Sequence, residues 1–191
     1  MYAIHQTQGI VLGVFENGDV DSFYYVYTKD FGLLGLLATG VRMHKSKFRY
    51  TLQPFTLIDV GFVKGKATLR ITHADTIARV SHTQNQRVLA KLFERLRRLV
   101  RGEEANIELY DILLEAFEFL RARESITEKE MYSLELLYTV RLLSSLGYWA
   151  ESLTDTPFLS APITGELCLE AYEKRISFLP RIEHAIAETQ L

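Results

Sequence analysis

Apolar positions recur with a period of about two over the first 80 residues and with a period near 3.6 from Ser81 onward. In the first stretch, QGIVLGVF and SFYYVYT flank the turn Glu16-Asn17-Gly18-Asp19. That is a hairpin pattern in which Asn17-Gly18 supplies the positive backbone dihedrals. LLGLLATGV follows Phe31-Gly32, and the runs PFTLIDVGFV and ATLRITHAD are joined by Lys64-Gly65-Lys66. The pattern therefore predicts five short strands punctuated by glycine.

In the second stretch, Val88, Leu89, Leu92, Phe93, Leu96, Leu99 and Val100 share one helical face. Ile107, Tyr110, Leu113, Leu114, Phe117 and Leu120 form the next stripe. Thr127 and Glu130 form a capping box that opens a third helix, and Gly147 closes it. The expected helices lie near 81–101, 105–124, 127–147, 165–179 and 180–190, with Pro180 dividing the last two and a loop at 148–164. The expected fold class is α+β in two parts. Residues 1–80 suit a five-stranded oligonucleotide/oligosaccharide-binding (OB) barrel, and residues 81–191 a helical bundle.

Composition sharpens that division. The chain is 48% hydrophobic with a mean hydropathy near zero, as expected of a globular protein. Its net charge is −2, but residues 1–80 hold nine Lys and Arg against six Asp and Glu, while the remainder is net acidic. Cys168 is the only cysteine, which excludes an intrachain disulfide and a cysteine-rich zinc site and fits a reducing cytoplasmic setting. The opening MYAIHQTQG has no signal-peptide pattern, and no apolar run approaches 18 residues.

Catalytic chemistry finds little support. The five histidines have no metal-ligand spacing. The stretch GFVKGKA has three residues between its glycines and Ala after the Lys, so it is not a phosphate loop. Glu124, Glu128 and Glu130 gather where a helix begins, which the helix dipole favours. The expectation is a protein without enzymatic activity, cofactor or metal.

The chemistry-bearing segment is RMHKSKFRY. Arg42, His44, Lys45, Lys47 and Arg49 stand in nine residues without an acid, and Lys64 and Lys66 add charge in a later turn. Cations that neutralise phosphates release condensed counterions, and this drives nucleic-acid binding. If the segment is extended, Lys45, Lys47 and Arg49 lie on one side and Phe48 and Tyr50 turn towards the core. SFYYVY raises the question of core packing against base stacking. Phe23, Tyr25 and Tyr27 share one strand face and Tyr24 and Val26 the other; one of the two is core, and the other is either a platform for bases or a tyrosine-rich surface under the helices. A second basic stripe, Arg87, Lys91, Arg95, Arg98 and Arg101, with Glu94 inside it, is either a solvated helix face or an extension of the DNA-binding surface. Tyr148 and Trp149 are either core or an anchor for a protein partner.

The segment YTKDFGLLGLLATGVRMHKSKFRYTLQPFTLIDVGFVKG, followed by LRITHAD, resembles the N-terminal domain of the RecO family of DNA repair and recombination mediators. The likeness rests on Thr28, Asp30-Phe31-Gly32, the basic stretch from Arg42 to Arg49, and Leu52-Gln53-Pro54-Phe55. Asp19 and Asp21 stand where the family has an acidic pair. The resemblance implies an OB-fold followed by helices. It implies binding of single- and double-stranded DNA, annealing of complementary strands and assistance to recombinase loading. It also implies RecR and single-strand binding protein as partners. Many members carry a four-cysteine zinc module in the helical part, other members lack it, and this chain has only Cys168. The expected function is a cytoplasmic, nucleoid-associated DNA-binding mediator. A protein-interaction adaptor with an OB-like barrel that does not bind DNA, and an RNA-binding OB protein, are the alternatives.

Overall fold

A computed structural model describes residues 3–100, 104–150, 152 and 155–189. It divides into two compact units, Met1–Val80 with Arg101–Tyr110, and Ser81–Val100 with Asp111–Leu191.

The first unit is a closed barrel with strand order β1-β2-β3-β5-β4. Its strands are β1 (Ile4–Asn17), β2 (Asp21–Thr28), β3 (Gly32–Ala38), β4 (Thr56–Lys64) and β5 (Leu69–Arg79). The long β1 pairs β4 with its first half and β2 with its second, and a bulge between Val11 and Gly13 lets it bend. A short parallel pairing, Leu36 with Leu69 and Leu37 with Arg70, closes the barrel. A short helix, α1 (Phe48–Thr51), lies between β3 and β4. This is the OB-fold that the strand pattern predicts.

Alternation decides which side chains fill the barrel. Tyr24 and Val26 of β2, and Leu34, Leu36 and Ala38 of β3, join Val11, Ile58, Val60, Phe62 and Ile71 in the core. Phe23 and Tyr25, both half-buried, therefore stand on the outward face, but Tyr27, which the alternation places with them, is fully buried, so the two-face division of SFYYVY holds only for the first part of β2. At the β1–β2 turn, Gly18 alone has positive φ (68°), so Asn17 does not share that task.

Gly32 opens β3 at φ 66°, and a Cβ there would lie 2.3 Å from the Glu104 carbonyl oxygen. Gly32→Ala should therefore lower barrel stability by at least ~1–2 kcal/mol from the left-handed backbone alone, with the collision added. Urea unfolding followed by circular dichroism measures it.

The second unit contains α2 (Thr83–Leu99), most of α3 (Ile107–Arg121), α4 (Glu128–Ser145), α5 (Thr156–Ser160), α6 (Gly165–Glu173) and α7 (Arg175–Glu188). The capping box forms as its sequence predicts. Thr127 N donates to Glu130 Oε2 at 2.8 Å, and Glu130 N donates to Thr127 Oγ1 at 3.2 Å. Those bonds hold the Glu130 carboxyl below its usual range. Gly147, at φ 80°, follows the end of α4. Asn85, buried on α2, donates to the carbonyls of Leu120 and Arg123 at 2.8 and 2.7 Å, so it supplies donors to the end of α3.

Two features of the helical unit differ from the pattern's expectation. The loop at 148–164 contains α5, whose Pro157 sits in the first turn, where a missing N–H costs nothing. The last two helices divide at Lys174 (φ −83°, ψ 0°), not at Pro180. Pro180 lies inside α7, because Phe178, Ile182 and Ala185 bury one continuous face there. That burial offsets a proline penalty of about 3 kcal/mol. No glycine or proline marks Lys174, so the hydrophobic period carries no sign of that break. Positions 190 and 191, the end of the expected final helix, lie outside the described residues.

The connection between α4 and α6 is tied by charge. Arg141 is 4% exposed, and its Nε donates to the Phe158 carbonyl at 2.8 Å. One terminal nitrogen bonds Glu115 Oε2 at 2.5 Å and the other the Ala161 carbonyl. Glu115 Oε1 in turn accepts the Ile163 N–H at 2.6 Å. Trp149 is buried and donates to Asp155 at 3.3 Å, with the Arg181 guanidinium 4.2 Å from its ring centroid. Hydrogen bonding from Arg181 holds the Asp155 carboxyl below its usual range. Trp149 is thus a core residue, whereas Tyr148 beside it is exposed.

Candidate nucleic-acid interface

β3 ends at Ala38, and Gly40, at φ 64°, reverses the chain. The Gly40 N–H donates to Asp21 Oδ1 at 2.7 Å. Asp21, the first residue of β2 and one of the acidic pair Asp19 and Asp21, therefore anchors the start of the basic segment. Arg42 N–H donates to the Val20 carbonyl at 3.0 Å, and its guanidinium reaches the Gly18 carbonyl at 3.0 Å and Glu16 at 3.2 Å. Arg42 fastens the segment to the β1–β2 turn.

The segment itself is not extended. Met43 N–H bonds the Gly40 carbonyl at 3.1 Å and Ser46 N–H bonds the Met43 carbonyl at 3.0 Å, and α1 follows. The expectation that Lys45, Lys47 and Arg49 line one strand face is therefore corrected, because successive turns and a helical turn replace the two-residue repeat. Phe48 packs against the barrel core, as expected. Tyr50 does not: its side chain is 75% exposed, and its carbonyl accepts from Arg79 at 2.6 Å.

Between this segment and β5 lies a groove of about 740 Å³. One wall carries Gly40, Met43, Lys45, Ser46, Lys47 and Phe48, and Thr72, His73, Ala74 and Asp75 of β5 form the other. A register shift opposite Gly61 and Phe62 leaves both Thr72 and His73 exposed. His73 Nε2 contacts Asp75 Oδ2 at 2.8 Å. His44, Lys45, Lys47 and Arg49 are exposed, and among the described residues none has a carboxylate partner.

Lys64 and Lys66 occupy the β4–β5 turn, closed by Gly65 N–H to the Thr68 carbonyl at 2.9 Å. Both are exposed, and so is Arg70, which leads along β5 towards Thr72. The two cationic groups flank one strand. Arg70 escapes notice in the sequence because it stands alone in LRITHAD; its place beside Lys64 and Lys66 comes from the β4–β5 pairing, which sets Lys64 opposite Leu69.

The α2 stripe has a different setting. Lys91 pairs with Glu135 of α4 at 2.6 Å. Arg95 bonds the Thr139 hydroxyl and lies 3.9 Å from Glu135. Arg98 pairs with Glu94 at 2.5 Å. Arg87 is exposed, and Arg101 lies outside the described residues. Glu94 is visible in the stripe itself, but Glu135 is brought there only by helix packing.

Burial raises the Cys168 thiol to about 11 and the Tyr27 hydroxyl to about 12, and neither residue lines the groove. No set of three or more His, Cys, Asp or Glu gathers to hold a metal ion among the described residues. No helix among them is long and apolar enough to cross a membrane.

Barrel topology, groove and free cations define a class: an OB-fold protein with a basic groove, continued by an all-helical unit. Residues 1–80 match the family "Recombination protein O N terminal". The chain is 32% identical over 149 residues to the DNA repair protein RecO of Thermodesulfovibrio yellowstonii, a match covering 75% of this chain and 58% of that protein. It is 33% identical over 75 residues to the same-named protein of Rubrobacter xylanophilus, covering 39% of this chain and 30% of the relative. The Thermobifida fusca protein is 35% identical over 75 residues, with 39% and 31% covered. These matches span between about a third and three fifths of the relatives' length. The chain belongs to the RecO family.

Proposed function

We propose that this chain is a non-catalytic, DNA-binding mediator of recombination and repair. Its barrel neutralises phosphate backbones so that complementary strands can approach one another. The observation that carries this reading is the set Lys45, Lys47 and Arg49, all exposed and without carboxylate partners among the described residues, with Lys45 and Lys47 lining an open groove. A lysine already bound to a glutamate must break that pair before it serves a phosphate, and these need not. Lys64 and Lys66 extend the same surface, with His44 at its rim, while Arg42 acts mainly by holding the segment in place. The paired cations of α2 contribute less. The relatives' shared name, DNA repair protein RecO, supports the same role.

Single- and double-stranded DNA are the proposed ligands, and strand annealing and recombinase loading the proposed activities. The acidic helical unit suits protein contacts, with RecR and single-strand binding protein as the partners that the family resemblance supplies. The proposed location is the cytoplasm, on the nucleoid.

A salt titration tests the charge argument. If about four phosphates are neutralised on a single strand, log K should fall with log salt at a slope near −3. Affinity should then drop about 50-fold between ~50 and ~200 mM salt. Absence of salt-dependent binding would favour the adaptor reading, and preference for RNA over DNA of the same sequence would favour the RNA-binding one.

A further inference from the structure

The outward barrel face carries aromatic rings that the phosphate-binding reading leaves unused. Strand register sets Phe15 opposite Phe23 and Phe23 opposite Leu37, and the parallel closure sets Leu37 beside Arg70. One row thus crosses four strands, from exposed Phe15 through half-buried Phe23 and buried Leu37 to exposed Arg70. The neighbouring row is Gly13, Tyr25, Gly35.

Phe15 is 47% exposed, and its ring meets Tyr25 edge-on at 5.1 Å between centroids. A Cβ on Gly35 would lie 3.9 Å from the Tyr25 ring, so that ring rests over bare backbone. A Cβ on Gly13 would meet nothing within 4 Å, so space stays open beside both rings. At the far end of the Phe15–Arg70 row, a Cβ on Gly65 would lie 3.6 Å from Arg70 Nε, which places that guanidinium against the Lys64–Lys66 turn.

We propose that Phe15 and Tyr25 form a base-stacking platform for single-stranded DNA, with the phosphates of the same strand held by Arg70, Lys64 and Lys66. The occupant follows from complementarity. A protein partner with an apolar patch would match the rings but not the exposed cation Arg70 at the far end of the row, or Lys64 and Lys66 in the turn beside it. A nucleic-acid strand presents flat apolar bases and anionic phosphates side by side, which is the pattern here. In a duplex the base faces are already stacked, so the platform serves single strands only. This inference rests on the DNA-binding reading and adds to it a preference for exposed bases.

The test compares a thymidine oligonucleotide with an abasic oligonucleotide of equal length and charge, using fluorescence anisotropy on the whole protein. The wild type is expected to bind the thymidine strand on the order of tenfold or more tightly than the abasic one. In Phe15→Ala that ratio should fall towards one, with the salt slope and circular dichroism unchanged. Phe15→Tyr should restore it. Gly13→Ile, which fills the open space without removing a ring or a charge, should also lower the ratio. Equal affinity of the wild type for both strands, with a normal salt slope, would overturn the platform and leave the DNA-binding reading intact. Salt-independent binding, or none to either strand, would remove both.

Discussion

Lys45→Glu/Lys47→Glu/Arg49→Glu should reduce binding to a single-stranded oligonucleotide by at least about 100-fold at ~50 mM salt, with the fold unchanged. Three cations become three anions, Lys45 and Lys47 on one wall of the groove and Arg49 two residues beyond, so three phosphate contacts are lost and three repulsions replace them. The substitution is safe for stability because these side chains are exposed and form no ion pair among the described residues. Arg42 makes a useful contrast. Arg42→Glu would set an anion beside Glu16 and release the clip to Gly18. Its effect should appear as a looser loop and a fall in stability as well as in affinity. Reversing Lys91 and Arg98 on α2 should weaken binding far less, since both already have carboxylate partners.

Arg141→Ala should destabilise the helical unit by about 3–5 kcal/mol, the range seen when one partner of a buried pair is removed. The loss has identifiable parts. Glu115 keeps its charge without its cation, and the carbonyls of Phe158 and Ala161 lose their donors. A typical domain has a stability of ~5–15 kcal/mol in total, so this change reaches a large share of it. Trp149 is the chain's only tryptophan and is buried 6.0 Å from the Phe178 ring, so its fluorescence reports this unit directly. Urea titration should show the midpoint of the tryptophan transition falling sharply. Arg141→Lys keeps one charge but cannot serve three acceptors in a fixed fork, so it should recover only part of the loss. Joint replacement, Arg141→Met with Glu115→Leu, should recover more than either alone, because the buried charge is then gone from both sides. The tie matters because thiolate ligands cannot staple the α4–α6 connection in a chain with only Cys168.

Much of the fold was legible in the linear pattern. The five strands follow a two-residue repeat, and that repeat alone divides Tyr24 and Val26 from Phe23 and Tyr25. The outward or inward choice between the two sets became visible only when β3 placed Leu34, Leu36 and Ala38 against the former. Thr127, Glu130 and Gly147 announced the ends of α4 because capping is local chemistry. Lys174 and Pro180 misled for the opposite reason: the proline's local cost was outweighed by a buried face formed with distant residues.

The site was legible as composition and not as geometry. Clustering of Lys45, Lys47 and Arg49 is visible at a glance. Their arrangement depends on Gly40, Asp21 and two tight turns that break the strand repeat, so extended-chain reasoning misplaced them and Tyr50. Arg70 and the groove wall of β5 needed the strand register. The pairing of the α2 stripe needed Glu135, which is 44 residues from Lys91.

Backbone amide shifts recorded while a thymidine oligonucleotide is titrated into the isotopically labelled protein put the central claim to its most direct test. The cationic groove predicts perturbations at residues 43–49, 64–70 and 72–75, diminishing as salt is raised, and the stacking platform adds residues 13–15 and 23–25. Perturbations centred on Arg87, Lys91 and Arg98 of α2, with residues 43–49 and 72–75 unmoved at saturation, would contradict it.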